Sequence, residues 1–141
     1  MTEKTFQSSL IRAIRAQRLY ADNMEVASCP GWPDVFITDG SRFALVELKS
    51  GNYGPNRKIR TMLSTAQLPR WMNYLSTADA NNLVLCVRTG RTEIRSIFVT
   101  HDKCTDIKNG ATLSDIPGID TRSVAQTATM LKGILFYVPE F

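Results

Sequence analysis

The 141-residue sequence is poor in the residues that build disulfide frameworks and thiolate metal sites: three cysteines (Cys29, Cys86 and Cys104) and one histidine, His101. The cysteine count is odd and no CxxC occurs, so neither a disulfide scaffold nor a Cys/His zinc site is expected, and a reducing cytoplasm suits the chain. Long hydrophobic runs are also missing. Nothing approaches the roughly 20 apolar residues of a membrane span, and the opening "MTEKTFQSSLIRAIRAQ" is too polar and periodic for a signal peptide. Repeats, low-complexity tracts and linkers are absent, which leaves one domain over residues 1–141. His101 in "VTHDK" has no nucleophile motif to serve and reads as a turn residue. The charge excess is small, +4 with a pI near 9.1, and suits a polyanionic partner without requiring one.

What the chain does have is alternating short apolar runs and helical periodicity. Residues 3 to about 19 repeat Phe6, Leu10, Ala13 and Ile14 at helical spacing, with Thr2 as N-cap and Glu3 in the first turn. "WPDVFIT" and "RFALVELKS" flank Asp39-Gly40, a strong hairpin signal. "GNYGPNRKIRTMLS" reads as an exposed loop and "PRWMNYLSTA" as a short helix with Pro69 near its first turn. A second hairpin turns at Gly90-Arg91, and residues 101–119 look irregular. "TRSVAQTATMLKG" is expected as a helix closed by Gly133, followed by a terminal strand "ILFYVPE". The resulting order, αββαββαβ, predicts an α/β fold: a mixed β-sheet flanked by helices.

The first hairpin carries the chemistry. Side chains alternate across a strand, so Phe43, Leu45, Glu47 and Lys49 share one face. A two-residue turn at Asp39-Gly40 makes Asp34 a diagonal neighbour of Glu47, roughly 7–8 Å away. A four-residue turn places the two directly opposite, and a three-residue turn without a bulge reverses the facing. Val35, Ile37, Ala44, Val46 and Leu48 fill one face, while Phe36, Phe43 and Leu45 make the other apolar too, so the hairpin is expected to be buried on both sides. Two carboxylates in such a place repel unless a cation joins them, and hard oxygen ligands of this kind suit Mg²⁺ or Mn²⁺. Lys49 adds a positive charge that can orient water and offset charge on a phosphate. The plainer alternative is a turn acid and a solvent-facing Glu–Lys pair.

"GWPDVFIT…FALVELKSG" resembles the signature of PD-(D/E)xK nucleases, with Pro33-Asp34 as the first element and Glu47-Leu48-Lys49 as the second. The glycine before Pro33 and the Ser-Gly after Lys49 resemble the VRR-NUC branch and related small Holliday-junction resolvases. So do Glu3 opening the first helix and the "STAQLPRWMNYL" stretch, which supplies Gln67 and Trp71 with one extra residue between them. The motifs span residues 3–88, and residues 89–141 match no known pattern. The resemblance implies a restriction-endonuclease-like αβββαβ core and a Mg²⁺-dependent endodeoxyribonuclease, in a branch whose stand-alone members are often phage or bacterial homodimers that cut branched DNA. It implies that Asp34, Glu47, the Leu48 carbonyl and Glu3 serve the metal. Lys49 would assist the attacking water, and Gln67 would support Lys49 or the phosphate.

Local readings stand beside these implied roles. Glu3 can simply complement the helix dipole, Gln67 can bond the start of its own helix, and Gln7 can substitute for it. Arg57, Lys58 and Arg60, with Tyr53 nearby, follow the second element and suit phosphate-backbone contacts, or form a solvated loop. Arg12, Arg15 and Arg18 read as an exposed helix face, Trp32 and Trp71 as packing residues. "ILFYVPEF" is either a dimer surface or a core strand. Rival functions are a nuclease fold that binds nucleic acid or protein without cutting, and the same chemistry on RNA.

Overall fold

Thr2 caps the first helix: its hydroxyl accepts the Thr5 N–H, Glu3 lies in the first turn, and Phe6, Leu10, Ile11 and Ile14 are buried along one face. In this computed structural model, which describes residues 2–24, 30–51, 53–77 and 81–137, the helix (α1, Glu3–Arg15) stops short of the boundary expected near residue 19. The chain turns at Arg18, whose φ is 62°, and enters a strand absent from the sequence reading, β1 (Tyr20–Asn23). Only Ala21 of β1 points into the core, so no alternation marked it.

The expected hairpin forms from β2 (Val35–Thr38) and β3 (Phe43–Ser50). Thr38 pairs with Phe43, so residues 39–42 make the four-residue turn rather than the two-residue one. Asp39 closes it, Oδ1 accepting the Ser41 N–H at 2.9 Å and the Arg42 N–H at 2.8 Å, while Gly40 supplies a φ of 98°. These backbone donors hold the Asp39 carboxyl down to about 2.

After β3 the chain crosses over through α2 (Gln67–Thr77) and returns as β4 (Leu83–Arg88), parallel to β3. The crossover segment is largely the exposed loop expected, but two of its residues turn inward. Ile59 is fully buried at the head of a 3-10 turn, Ile59–Thr61, and Met62 is buried beside it. The β4–β5 hairpin follows as expected, with β5 at Ile94–Val99.

The last third departs most from expectation. Residues 101–119 contain a helix, α3 (His101–Lys108), N-capped by Thr100, and lead into strand β6 (Ile119–Thr121). His101 is therefore the first residue of a helix. Helix α4 (Val124–Leu135), capped by Ser123, runs through Gly133 instead of ending there. Ile134 and Leu135 thus belong to a helix, not to a terminal strand, and the rest of that expected strand from residue 138 on lies outside the described residues, as does Cys29.

The order α1β1β2β3α2β4β5α3β6α4 contains the αβββαβ core and corrects the αββαββαβ reading by one early strand and the rearranged end. The six strands lie in sequential order in one sheet, β3–β4 being its parallel pair. Helices α1 and α4 cover the face carrying Val35, Ile37, Ala44, Val46, Leu48, Val84 and Cys86. Helices α2 and α3 cover the opposite face, where Trp71, Leu75, Cys104 and Ile107 pack on Leu45, Leu85, Val87 and Ile97. Both sides of the central strands are dry, which explains their unbroken apolar runs. No helix among the described residues is long and apolar enough to cross a membrane.

Candidate active site

Asp34 stands just ahead of β2, and a clamp on α2 fixes it there. Gly31 has a φ of 97°, and a Cβ on it would come within 2.5 Å of the Ala66 carbonyl oxygen. The Trp71 indole N–H donates to the Gly31 carbonyl at 2.9 Å, while Trp71 itself is buried. Trp32 packs edge-on against Tyr74 and beneath the Arg70 guanidinium. Both tryptophans are packing residues, as read. On the other side the Met24 N–H donates to the Asp34 carbonyl at 2.7 Å, which ties Asp34 to the end of β1.

The register Val35↔Val46, continued by one residue, sets Asp34 against Glu47 on the face covered by α2. Asp34 Oδ2 accepts the Leu48 N–H at 3.1 Å. A strand residue turns its N–H and C=O toward the same neighbour, so the Leu48 carbonyl is directed to the Asp34 side as well. Lys49 Nζ lies 3.3 Å from Glu47 Oε2, an ion pair with little solvent access.

Glu47 is the unusual group. It is 2% exposed, and its Oε1 has no hydrogen-bond partner among the described residues. Burial, reinforced by repulsion from Asp34, pushes its carboxyl up to about 7, against the opposing pull of Gln67 and Lys49. Gln67 opens α2, is itself buried, and accepts the Ser64 N–H on Oε1 at 2.8 Å. It bonds the start of its own helix, as one reading had it, and its other contact is with the Glu47 carboxylate, a partner the sequence did not suggest.

Asp34, Glu47, Lys49 and Gln67 are thus brought together. Glu3 is not part of that group: it is exposed, and its Oε1 accepts the Ser50 N–H at 3.4 Å, across the end of β3. Among the described residues, no three His, Cys, Asp or Glu side chains are grouped closely enough to hold a metal ion. A cation here would be held by two carboxylates and a backbone carbonyl, with water and phosphate oxygens completing its shell, as Mg²⁺ prefers. The orphaned, buried Oε1 of Glu47 fits that donor set.

Gln7 and Asn23 were not read as a pair. Gln7 Nε2 donates to Asn23 Oδ1 and lies 3.5 Å from the Asp34 carbonyl, so α1 and β1 meet at the back of the site. The unrecognised β1 hid this contact. The basic side chains are exposed, as a solvated loop would have them, yet they make contacts: Arg57 lies over the Tyr53 ring at 5.3 Å and donates to Thr61. Lys58 bridges to Thr112, and Arg60 reaches the Lys108 carbonyl. Arg12 and Arg15 are exposed along α1, as read, and Arg18 is exposed in the turn beyond it rather than on the helix.

No protein family matches the chain, and no curated protein matches it in sequence. Among solved structures, it is similar to Hjc, a Holliday junction resolvase from the archaeal hyperthermophile Archaeoglobus fulgidus. The TM-score is 0.53 and the identity 15%, over 89% of this chain and 98% of that one. The fold is nuclease-like. At that identity the likeness is one of fold, and the side chains of the site rest on their own geometry.

Proposed function

We propose that the protein is a Mg²⁺- or Mn²⁺-dependent endonuclease that hydrolyses DNA phosphodiester bonds, selective for branched or otherwise irregular DNA and acting as a homodimer in the cytoplasm. The observation that carries this reading is the Asp34–Glu47–Lys49 constellation, with a buried carboxylate oxygen left without a partner. Asp34, Glu47 and the Leu48 carbonyl would hold the cation, and Glu3 would reach it through water. When bound, the cation supplies a counter-charge for the phosphate and lowers the pKa of an attacking water. Lys49 orients that water and offsets negative charge developing on the phosphoryl oxygens. Gln67 keeps the Glu47 carboxylate aimed, and Arg57, Lys58, Arg60 and Tyr53 hold the backbone of the bound strand. The resolvase likeness supports DNA as substrate through the fold alone.

The test is a panel of labelled linear, flapped, four-way, single-stranded and RNA substrates with Mg²⁺ or Mn²⁺. Cutting of branched DNA is expected, and Asp34→Asn, Glu47→Ala and Lys49→Ala should each slow it by about 100-fold or more with unchanged circular dichroism. Full activity in Glu47→Ala would end the proposal.

A further inference from the structure

The row of residues beside Lys49 leads away from the site. Lys49 pairs with Val87, Val87 with Arg95 and Arg95 with Asp120. Directly opposed residues point to one face, so this row shares the face of Glu47. With strands about 4.8 Å apart, Arg95 stands about 10 Å from Lys49 across the sheet. There a groove of about 840 Å³ opens, bordered by Tyr53, Glu93, Arg95, Leu113, Asp120 and Arg122.

Its floor is fixed. Arg95 Nε donates to the Leu113 carbonyl at 3.2 Å, Nη2 to the Ile116 carbonyl at 2.7 Å, and Nη1 to both Asp120 oxygens at 3.1 Å. Gly118 permits this packing, since a Cβ there would lie 3.2 Å from Arg95 Cγ and Cζ. Tyr53 forms the wall nearest Lys49: its ring rests against Gly51, where a Cβ would come within 2.9 Å of it. Two side chains of opposite charge remain unused. Glu93 and Arg122 make no side-chain hydrogen bond or ion pair among the described residues.

A ligand that satisfies both needs an N–H edge for the carboxylate and an anion for the guanidinium. An unpaired nucleotide has the two together. Its base offers amino and imino donors of the kind a carboxylate accepts from cytosine N4, and its phosphate suits arginine. The volume is within the range of sites that take one small ligand. In a duplex the base-pairing edge is already occupied. We propose that this groove seats one unpaired nucleotide of the substrate strand, its base edge on Glu93 and its phosphate on Arg122. The strand's path rests on the nuclease reading above, and the groove gives that reading a substrate class: DNA with a base free of its partner beside the scissile bond.

The experiment measures binding in EDTA, by fluorescence anisotropy, of three duplexes: one with a single bulged cytosine, one with an abasic residue at the bulge, and one fully paired. The bulged cytosine should bind about tenfold tighter than the abasic bulge. Glu93→Ala should erase that difference and leave the paired duplex unaffected, while Arg122→Ala should weaken both bulged ligands. Equal affinity for the cytosine and abasic bulges, or an unaltered preference in Glu93→Ala, overturns the inference. Cleavage scored in parallel with Mg²⁺ separates the two claims. Base-dependent binding without cutting of any substrate supports the groove and sinks the nuclease, and cutting that needs Glu47 without base-dependent binding does the reverse.

Discussion

A single carboxyl group carries most of the functional information in this protein. Glu47 occupies a position where an apolar residue would pack without cost, and its carboxyl rises from 4.5 to about 7. Between those values the folded chain holds a proton that the unfolded chain has released, so stability must fall as pH rises through that window. The shift corresponds to about 2–3 kcal/mol at neutral pH, an upper range because Lys49 and Gln67 can adjust. In EDTA, the melting temperature of the wild type should therefore drop between about pH 5 and about pH 7.5 relative to Glu47→Gln, which lacks the titration. Mn²⁺ or Mg²⁺ at the upper pH should restore the loss in the wild type only, because the cation replaces the proton between the carboxylates. Parallel melting profiles for the two proteins across this range would show that Glu47 ionises as an ordinary surface acid, and the case for a cation site would go with it.

At the level of elements, the site depends on how firmly the segment before β2 is held on α2. Gly31 has a left-handed backbone and no room for a Cβ against the Ala66 carbonyl. Gly31→Ala should cost about 2–4 kcal/mol, seen as a lower urea midpoint, and Trp71→Phe about 1 kcal/mol through the lost bond to the Gly31 carbonyl. A Gly31→Ala variant as stable as the wild type would mean the clamp is not where the geometry puts it. The sequence disclosed part of this arrangement. The facing of Asp34 and Glu47 was legible because side-chain alternation survives any even-numbered turn, so misjudging the turn length left the facing intact. The Asp39 side chain, bonding two backbone N–H groups, decided the longer turn, and no pattern of apolar residues encodes that choice. Strands β1 and β6 and helix α3 were illegible for a different reason. β1 buries only Ala21 and β6 only Thr121, while α3 buries Cys104 and Ile107, too few inward positions to set a period. The run Ile134-Leu135-Phe136 looked like a strand because a short apolar run does not distinguish a strand from a helix end.

For the whole molecule, the sheet divides the cations into two sets. Arg12 and Arg15 lie on α1, which covers the face opposite Glu47, with Arg18 in the turn that follows, and Arg15 is further engaged with the Ala21 carbonyl and Asp22. Arg57, Lys58 and Arg60 flank Ile59, whose burial anchors them on the face that carries Glu47 and Lys49. A net charge of +4 does not distinguish the two sets, and the proposed centre favours the second as the one that would meet a polyanion. Each phosphate contact releases counterions and adds about 0.9 to the salt dependence of duplex binding. Replacing Lys58 and Arg60 with alanine should therefore lower the slope of log K against log salt by about 1–2, with little change in preference among duplex sequences. The matched change at Arg12 and Arg15 should leave the slope within about 0.5 of wild type, because those residues stand on the helix at the far side of the sheet. If the α1 pair proves to carry the salt dependence instead, the duplex lies across the α1–α4 face, away from Glu47 and Lys49. No strand bound there could present its phosphate to the candidate centre.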